Sequence, residues 1–297
     1  MLTVAEKPRV PPELQRGRRD LISLPQKEKV KLSVIIITYN ESRIIRRTLS
    51  RLWWCDEVVV VDSYSTDDTV AICREFGCRV FLKHFAGYGT QKQYAVAMAK
   101  NDWVLNLDAD EVLSDRLIFE IGLEFLLEPK YAGYEIPMNL VFLGKEFRYG
   151  RESQRYFLRL FRKSQGMFND AKVHERVEIK GPVCRLRNPL QHFSYDDLEH
   201  WYVKMNRYST LGAEEAARRG KNKSIFALLI ALPYYFLRYY LLERNFLNGL
   251  EGYYWAVLNA NYHFTKYAKI RKLHSKAARF AVPQPVPGWQ ARYADGE

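Results

Sequence analysis

Trp103-Val104-Leu105-Asn106-Leu107-Asp108-Ala109-Asp110-Glu111 is the stretch whose reading decides the fold. An apolar run suited to a buried strand leads straight into clustered carboxylates. Burying a carboxylate beside a strand is costly unless a positive charge compensates it. Hard divalent cations prefer oxygen ligands and commonly bind through one or two carboxylates plus substrate phosphates. The stretch therefore points to a strand end that handles a metal and a diphosphate.

Upstream, the pattern alternates between strands and helices. Leu32–Thr38 is a β-branched apolar run of the kind a buried parallel strand requires. A helix is expected over Glu41–Trp54, with Ile44, Ile45, Leu49, Leu52 and Trp53 on one face. Glu57–Val61 reads as a second buried strand ending at Asp62, and Ser65-Thr66-Asp67-Asp68 resembles a capping box opening the next helix. Gly77 stops that helix; Arg79–Leu82 is a third strand, Tyr88–Lys100 a helix and Trp103–Leu107 the fourth strand. This order implies an α/β fold, Rossmann-like, with a mostly parallel central sheet and helices on both faces. Such sheets bind ligands at the carboxyl ends of their strands, where Asn40, Asp62 and Asp108 all fall. Beyond a helix after Ser114, shorter strands follow: Tyr156–Arg162, which partly alternates, then Val173–Val177 and Leu190–Phe193.

The 297 residues are 47% hydrophobic, enough for a substantial core, and carry a net charge of +12. A basic chain favours acidic partners: nucleic acid, anionic lipid or a phosphorylated substrate. No zinc-finger spacing and no RNA-binding aromatic signature is present, so a nucleic-acid partner is not expected. Cys55, Cys73, Cys78 and Cys184 form no C-x-x-C pair and read as reduced thiols. Residues 1–30 form a basic lead-in without the apolar core of a secretory signal. Residues 31–195 hold the α/β domain. Residues 196–297 change character: Leu198–Arg219 is helical and charged, whereas Ser224–Leu242 is apolar and aromatic, interrupted by Pro233 and followed within the run by Arg238. At about 19 residues it sits near the lower limit of a membrane span. A helix pair lying in the membrane interface suits it better, with Lys266, Lys269, Arg271, Lys272, Lys276 and Arg279 near anionic headgroups.

Several of these stretches together resemble family 2 glycosyltransferases of GT-A fold: Ser33–Glu41, then Val60-Val61-Asp62-Ser63-Tyr64-Ser65-Thr66-Asp67, then Leu107–Glu111. Phe85–Ala95, Val173-His174-Glu175-Arg176, His192–Tyr195 and Asn206–Thr210 are similar to the lipopolysaccharide core glucosyltransferase branch of that family. Tyr64 stands where many relatives carry glycine.

The resemblance implies a set of roles. Asp108 and Asp110 match the D-x-D pair that holds Mg²⁺ or Mn²⁺ on the donor diphosphate, directly or through water, and His192 is a further candidate metal ligand. Thr38, Tyr39, Asn40, Glu41, Asp62, Gln91, Lys92, Asp108 and Ala109 fall where the nucleotide-sugar donor would bind. Glu41 also suits the first turn of its helix, and Glu111 could cap the helix that follows it. Glu175 is the candidate catalytic base, with Asp170, Glu152, Asp196 and Asp197 as rivals and His174 as a neighbour able to orient it. Arg148, Arg151, Arg155 and Arg159 could meet acceptor phosphates, since guanidinium groups bind them bidentately.

The expected activity is inverting, metal-dependent transfer of a hexose, glucose first, from a nucleotide-diphosphate sugar. The acceptor would be an anionic lipid-linked glycan such as lipopolysaccharide core, at the cytoplasmic face of the bacterial inner membrane, with the enzyme peripheral or monotopic on the membrane surface. A polyprenyl-phosphate glycosyltransferase and a non-catalytic nucleotide-binding membrane scaffold are the alternatives. A nucleotidyltransferase is disfavoured, because no lysine-rich pyrophosphate loop follows the first strand.

Overall fold

The β-branched runs form the buried centre of a sheet. β1 (Leu32–Thr38) lies between β2 (Glu57–Asp62) and β4 (Trp103–Asp108), and β3 (Arg79–Leu82) flanks β2, all parallel. The computed structural model of the chain describes residues 30–169, 176–195 and 197–280. Alternate residues of the strands feed two cores. Val34, Ile36, Val58, Val60 and Leu105 pack on one face with α1 (Ile45–Leu49), α2 (Thr69–Glu75) and α4 (Asp115–Leu126). Ile35, Val59, Val61 and Val104 pack on the other with Ala95 and Val96 of α3 (Tyr88–Met98). Helices on both faces of a parallel sheet are thus what the sequence pattern predicts.

Beyond β4 the direction reverses. β8 (Ser153–Arg162) pairs antiparallel with β4 and with β6 (Gly133–Phe142). Next to β6 lies β12 (Leu190–Tyr195), which pairs antiparallel with β5 (Glu111–Leu113). β7 (Lys145–Glu146) and β11 (Val183–Arg185) also pair with β6, giving a ten-stranded sheet among the described residues. β9 (Gly166–Phe168) and β10 (Val177–Ile179) form a separate two-stranded ribbon. Val173–Val177, read as one strand, falls partly outside the described residues; its last residue opens β10.

Two local expectations are corrected. The helix after β1 is far shorter than Glu41–Trp54. After Leu49 the backbone tightens into three-residue turns, with Arg51, Leu52 and Cys55 amides bonding to Thr48, Leu49 and Leu52 carbonyls. Leu52 enters the core, but Trp53 is 45% exposed. The capping box does not form either. Asp68 is the N-cap residue of α2 without a side-chain cap bond, and Asp67 instead accepts the Thr69 and Ser42 amides.

The chain divides into two compact units between Ser194 and Tyr195. The second is helical: α5 (Leu198–Arg218), α6 (Ile225–Leu237), a π turn (Arg238–Leu242), a 3-10 turn (Asn245–Asn248) and α7 (Leu250–Phe280). α7 packs along both α5 and α6.

Candidate active site

The carboxyl ends of β1, β2 and β4 lie side by side, because Thr38 is in register with Asp62 and Ile37 with Asp108. At the β1–β2 end the polar residues bind each other. The Asp62 carboxylate is fully buried and accepts the Thr38 hydroxyl at 2.8 Å, the Ser65 amide at 2.7 Å and the Ser65 hydroxyl. Through these bonds the carboxylate organises the loop after β2. Asn40, at φ 55°, ties the two loops together, accepting the Thr66 amide at 2.8 Å and donating its own to the Ser65 hydroxyl. Tyr64 adopts φ 63°, the left-handed region that favours glycine, and stacks on His84 with ring centroids 4.2 Å apart. Tyr39 is 58% exposed at the same edge. The Glu41 carbonyl accepts the Ile44 and Ile45 amides, and its amide donates to the Thr69 hydroxyl.

Gln91 does not sit on a solvated helix face. It is buried, and its amide nitrogen donates to the Ser63 hydroxyl and the Lys83 carbonyl, pinning the ends of β2 and β3. The next residue, Lys92, is also buried and its Nζ lies 2.8 Å from Asp108 Oδ1.

The acidic cluster is compensated from within. Arg159 on β8 reaches Asp108 Oδ2 at 3.0 Å and also pairs with Glu111 Oε1. Antiparallel pairing of β8 with β4 delivers that guanidinium, 51 residues away in sequence. Burial opposes ionisation of Asp108, but Arg159 and Lys92 outweigh it and hold the carboxyl well below the usual range. Glu111 is fully buried and accepts the Asp108 amide at 2.9 Å. Burial, reinforced by Asp108 and opposed by Arg159, pushes it up to about 7. Glu111 therefore braces the acid turn and does not cap α4; Ser114 does, accepting the Leu117 amide. The Ala109 carbonyl accepts the Thr48 hydroxyl at 2.7 Å, so it anchors the turn to α1.

Asp110 and His192, two of the candidate metal ligands, lie side by side. β12 pairs with β5 so that His192 lies opposite Glu111, and the Phe193 amide bonds to the Asp110 carbonyl. His192 Nε2 is then 3.1 Å from Asp110 Oδ2. Burial lowers the affinity of the ring for a proton, but Asp110 more than reverses this and the pKa is raised. Adjacent ligands of an octahedral Mg²⁺ lie about 3 Å apart for metal–oxygen distances near 2.1 Å. Asp110 and His192 thus fit two neighbouring positions around one hard cation. The Asp108 oxygens are already held by Lys92 and Arg159. Among the described residues no three His, Cys, Asp or Glu side chains form a complete metal cage.

Asp108, Glu111, Lys92, Arg159 and His192 all line one cleft of about 1420 Å³. Asn106 lines it too, 2% exposed, its carbonyl oxygen lacking a hydrogen-bond partner. Arg155, Arg176 and Arg185 add positive charge along the lining. Arg159 is thus reassigned from the acceptor to the acid cluster, and Arg148 lines a second pocket of about 580 Å³. Glu175, His174, Asp170 and Asp196 lie outside the described residues. The ends of that segment, Asn169 and Arg176, bond to each other: the Asn169 amide donates to the Arg176 carbonyl, and the Arg176 amide to Asn169 Oδ1. Of the other candidates for the base, Glu152 pairs with Arg155 at 3.2 Å and Asp197 caps α5 by accepting the His200 amide.

The model of glycosyl transferase family 2 matches residues 33–178. An uncharacterized glycosyltransferase of Rickettsia typhi is 33% identical, over 83% of this chain and 89% of its own length. The lipopolysaccharide core biosynthesis glycosyltransferase LpsC of Rhizobium meliloti is 32% identical, over 84% of this chain and 96% of its own. Among solved structures, residues 1–349 of Staphylococcus aureus TarS in complex with UDP match with a TM-score of 0.40 at 17% identity, over 83% of this chain and 92% of that one. The family match spans the strand-end acids, and the relatives align along most of both chains: this chain belongs to glycosyl transferase family 2.

Proposed function

We propose that this glycosyltransferase moves a hexose, glucose from UDP-glucose, onto a lipid-linked anionic oligosaccharide of the lipopolysaccharide-core kind, with inversion at the anomeric carbon. The observation that carries this reading is the Asp110–His192 pair, 3.1 Å apart, next to the Asp108–Lys92 ion pair, with His192, Asp108 and Lys92 lining one cleft. A divalent cation, Mg²⁺ or Mn²⁺, held by Asp110 and His192 with Asp108 close by, would neutralise charge developing on the leaving diphosphate. Lys92 and Arg159 fix Asp108 in its ionised form and keep the acid turn rigid before substrate arrives.

An inverting displacement needs a base on the acceptor side of the sugar to take the hydroxyl proton as the oxygen attacks. We assign that proton to Glu175, whose neighbour Arg176 lines the cleft. The arginines of the cleft lining suit an acceptor rich in phosphate or carboxylate. The name of the LpsC relative supports a lipopolysaccharide-core acceptor, and the apolar exposure of the helical unit supports work at the cytoplasmic face of the inner membrane.

The test is a donor and acceptor screen reading nucleotide release. UDP-glucose with extracted core lipid should give UDP release that depends on Mg²⁺ or Mn²⁺. Turnover with polyprenyl phosphate in place of core lipid would move the assignment to that acceptor class. Tight UDP binding with no release for any acceptor would indicate a scaffold.

A further inference from the structure

The helical unit is built inside out around the turn that joins α6 to α7. From Ile225 to Leu242 the chain is apolar or aromatic apart from Arg238, yet little of it is buried. Phe226, Leu229 and Leu242 are 71%, 69% and 78% exposed. At 100° per residue, the exposed side chains Ile225, Phe226, Leu229, Ile230, Pro233 and Leu237 share one broad arc of α6, and none carries a charge. The opposite arc, with Ala231 and Tyr235, faces α7, where Tyr235 stacks on His263 at 3.6 Å and bonds to the Tyr267 hydroxyl at 2.7 Å.

The polar groups of the turn point the other way. Asn245 and Asn248 are buried; Asn245 Nδ2 donates to the Tyr239 carbonyl and Asn248 Nδ2 to Asn245 Oδ1. Arg238 pairs with Glu243 at 3.4 Å. Phe246, Leu247 and Leu250 meanwhile face outward, 44–59% exposed. A water-soluble turn would reverse this arrangement, whereas lipid requires polar groups to bond internally. Arg244 alone is a charged, exposed residue there, and its long stem can carry the guanidinium to the headgroups.

The far end of the hairpin is basic. Arg271 donates to the Lys223 carbonyl, the His274 ring to the Lys221 carbonyl, and Lys223 lies over the Tyr267 ring. Lys266 and Lys272 add charge on α7. The apolar turn and the basic end are separated by about 27 Å of helix. An uncharged outer arc with basic flanks complements the acyl boundary and headgroups of an anionic bilayer.

We propose that the outer arc of α6 and the turn through Leu250 insert into the lipid of an anionic bilayer as a monotopic hairpin, with Lys221, Lys223, Arg271 and Lys272 on the headgroups. This rests on the membrane-face reading above and specifies its mode: burial in lipid rather than electrostatic adsorption. The test is flotation of the full chain with vesicles of phosphatidylethanolamine containing about one quarter phosphatidylglycerol. It is run at low salt and at about 1 M, where charges are screened within about 3 Å.

Wild-type protein is expected to float in both. The double variant Leu229→Asp/Leu242→Asp should lower the floated fraction at high salt by about tenfold or more. Its helicity and melting temperature should stay as in the wild type, because both side chains are exposed. Complete release of the wild type at high salt, with the variant behaving alike, would overturn insertion and leave surface adsorption standing. No flotation at either salt would overturn both. A dimer that the double variant dissociates, without flotation, would assign the apolar face to a second copy and overturn the proposal.

Discussion

The Asp110 carboxylate and the His192 imidazole, 82 residues apart in sequence, lie 3.1 Å apart because β12 pairs with β5. If both hold the cation, His192→Ala should raise the Mn²⁺ concentration needed for half-maximal UDP binding by about 10- to 100-fold. Calorimetric titration of UDP at a series of Mn²⁺ concentrations reads this directly. Unchanged metal dependence would make His192 a structural partner of Asp110.

Arg159 bridges two buried or half-buried carboxylates, so its removal leaves Asp108 to Lys92 and strips Glu111 of its guanidinium partner. Arg159→Met is expected to destabilise the protein by about 3–5 kcal/mol at neutral pH. Adding Glu111→Gln should recover part of that loss, since the fully buried acid is the costlier orphan. Denaturant melts of the single and double variants measure the coupling.

Glu175→Gln should leave UDP-sugar binding unchanged and slow transfer by about 10²–10⁴-fold. Binding by calorimetry and single-turnover transfer separate the two effects. Near wild-type transfer would return the base to Asp170 or another acid.

The helical unit contains its own acid sensitivity. Burial, with Lys266 and Arg238 nearby, pushes His263 down to about 4. Above about pH 6.5 the ring is neutral folded and unfolded, and its contribution is complete. As pH falls from about 6.5 toward about 4, the unfolded chain takes up a proton that the folded one resists, so stability falls. Hydrogen exchange in α7 should speed up across that window, and His263→Asn should flatten the dependence.

At Gly252 an added Cβ would lie 1.9 Å from the Asn245 carbonyl oxygen. Gly252→Ala should therefore cost about 1–3 kcal/mol, visible as a lower melting temperature. Gly122→Ala, where a Cβ would have nothing within 4 Å, serves as the control.

Much of the frame was legible in the sequence for simple reasons. β-branched runs bounded by turn residues can hardly be anything but buried strands, and the alternation of β1 to β4 with α1 to α3 leaves few topologies. Local spacing also places Asp62 and Asp108 at one sheet edge. What spacing does not carry is the direction of a polar side chain. Asp62 turns inward to Thr38 and Ser65, and Gln91 to Ser63 and Lys83, because neighbouring loops offer donors and acceptors that no periodicity records. Arg159 reads like one more basic residue on a half-exposed strand. Its role depends on β8 running against β4, a long-range pairing. The early stop of α1 has the same origin: Leu52 reaches the core through tight turns that helical spacing cannot anticipate.

The reversal of strand direction at β8 has a consequence for anyone cutting this protein. A fragment ending just after the acid turn, at Leu113, would retain Asp62, Lys92, Asp108, Asp110 and Glu111. It would lack the guanidinium that neutralises Asp108 and Glu111, and the imidazole that meets Asp110. The motif is therefore smaller than the arrangement around it, which draws on residues as far as His192, within the first compact unit that ends at Ser194.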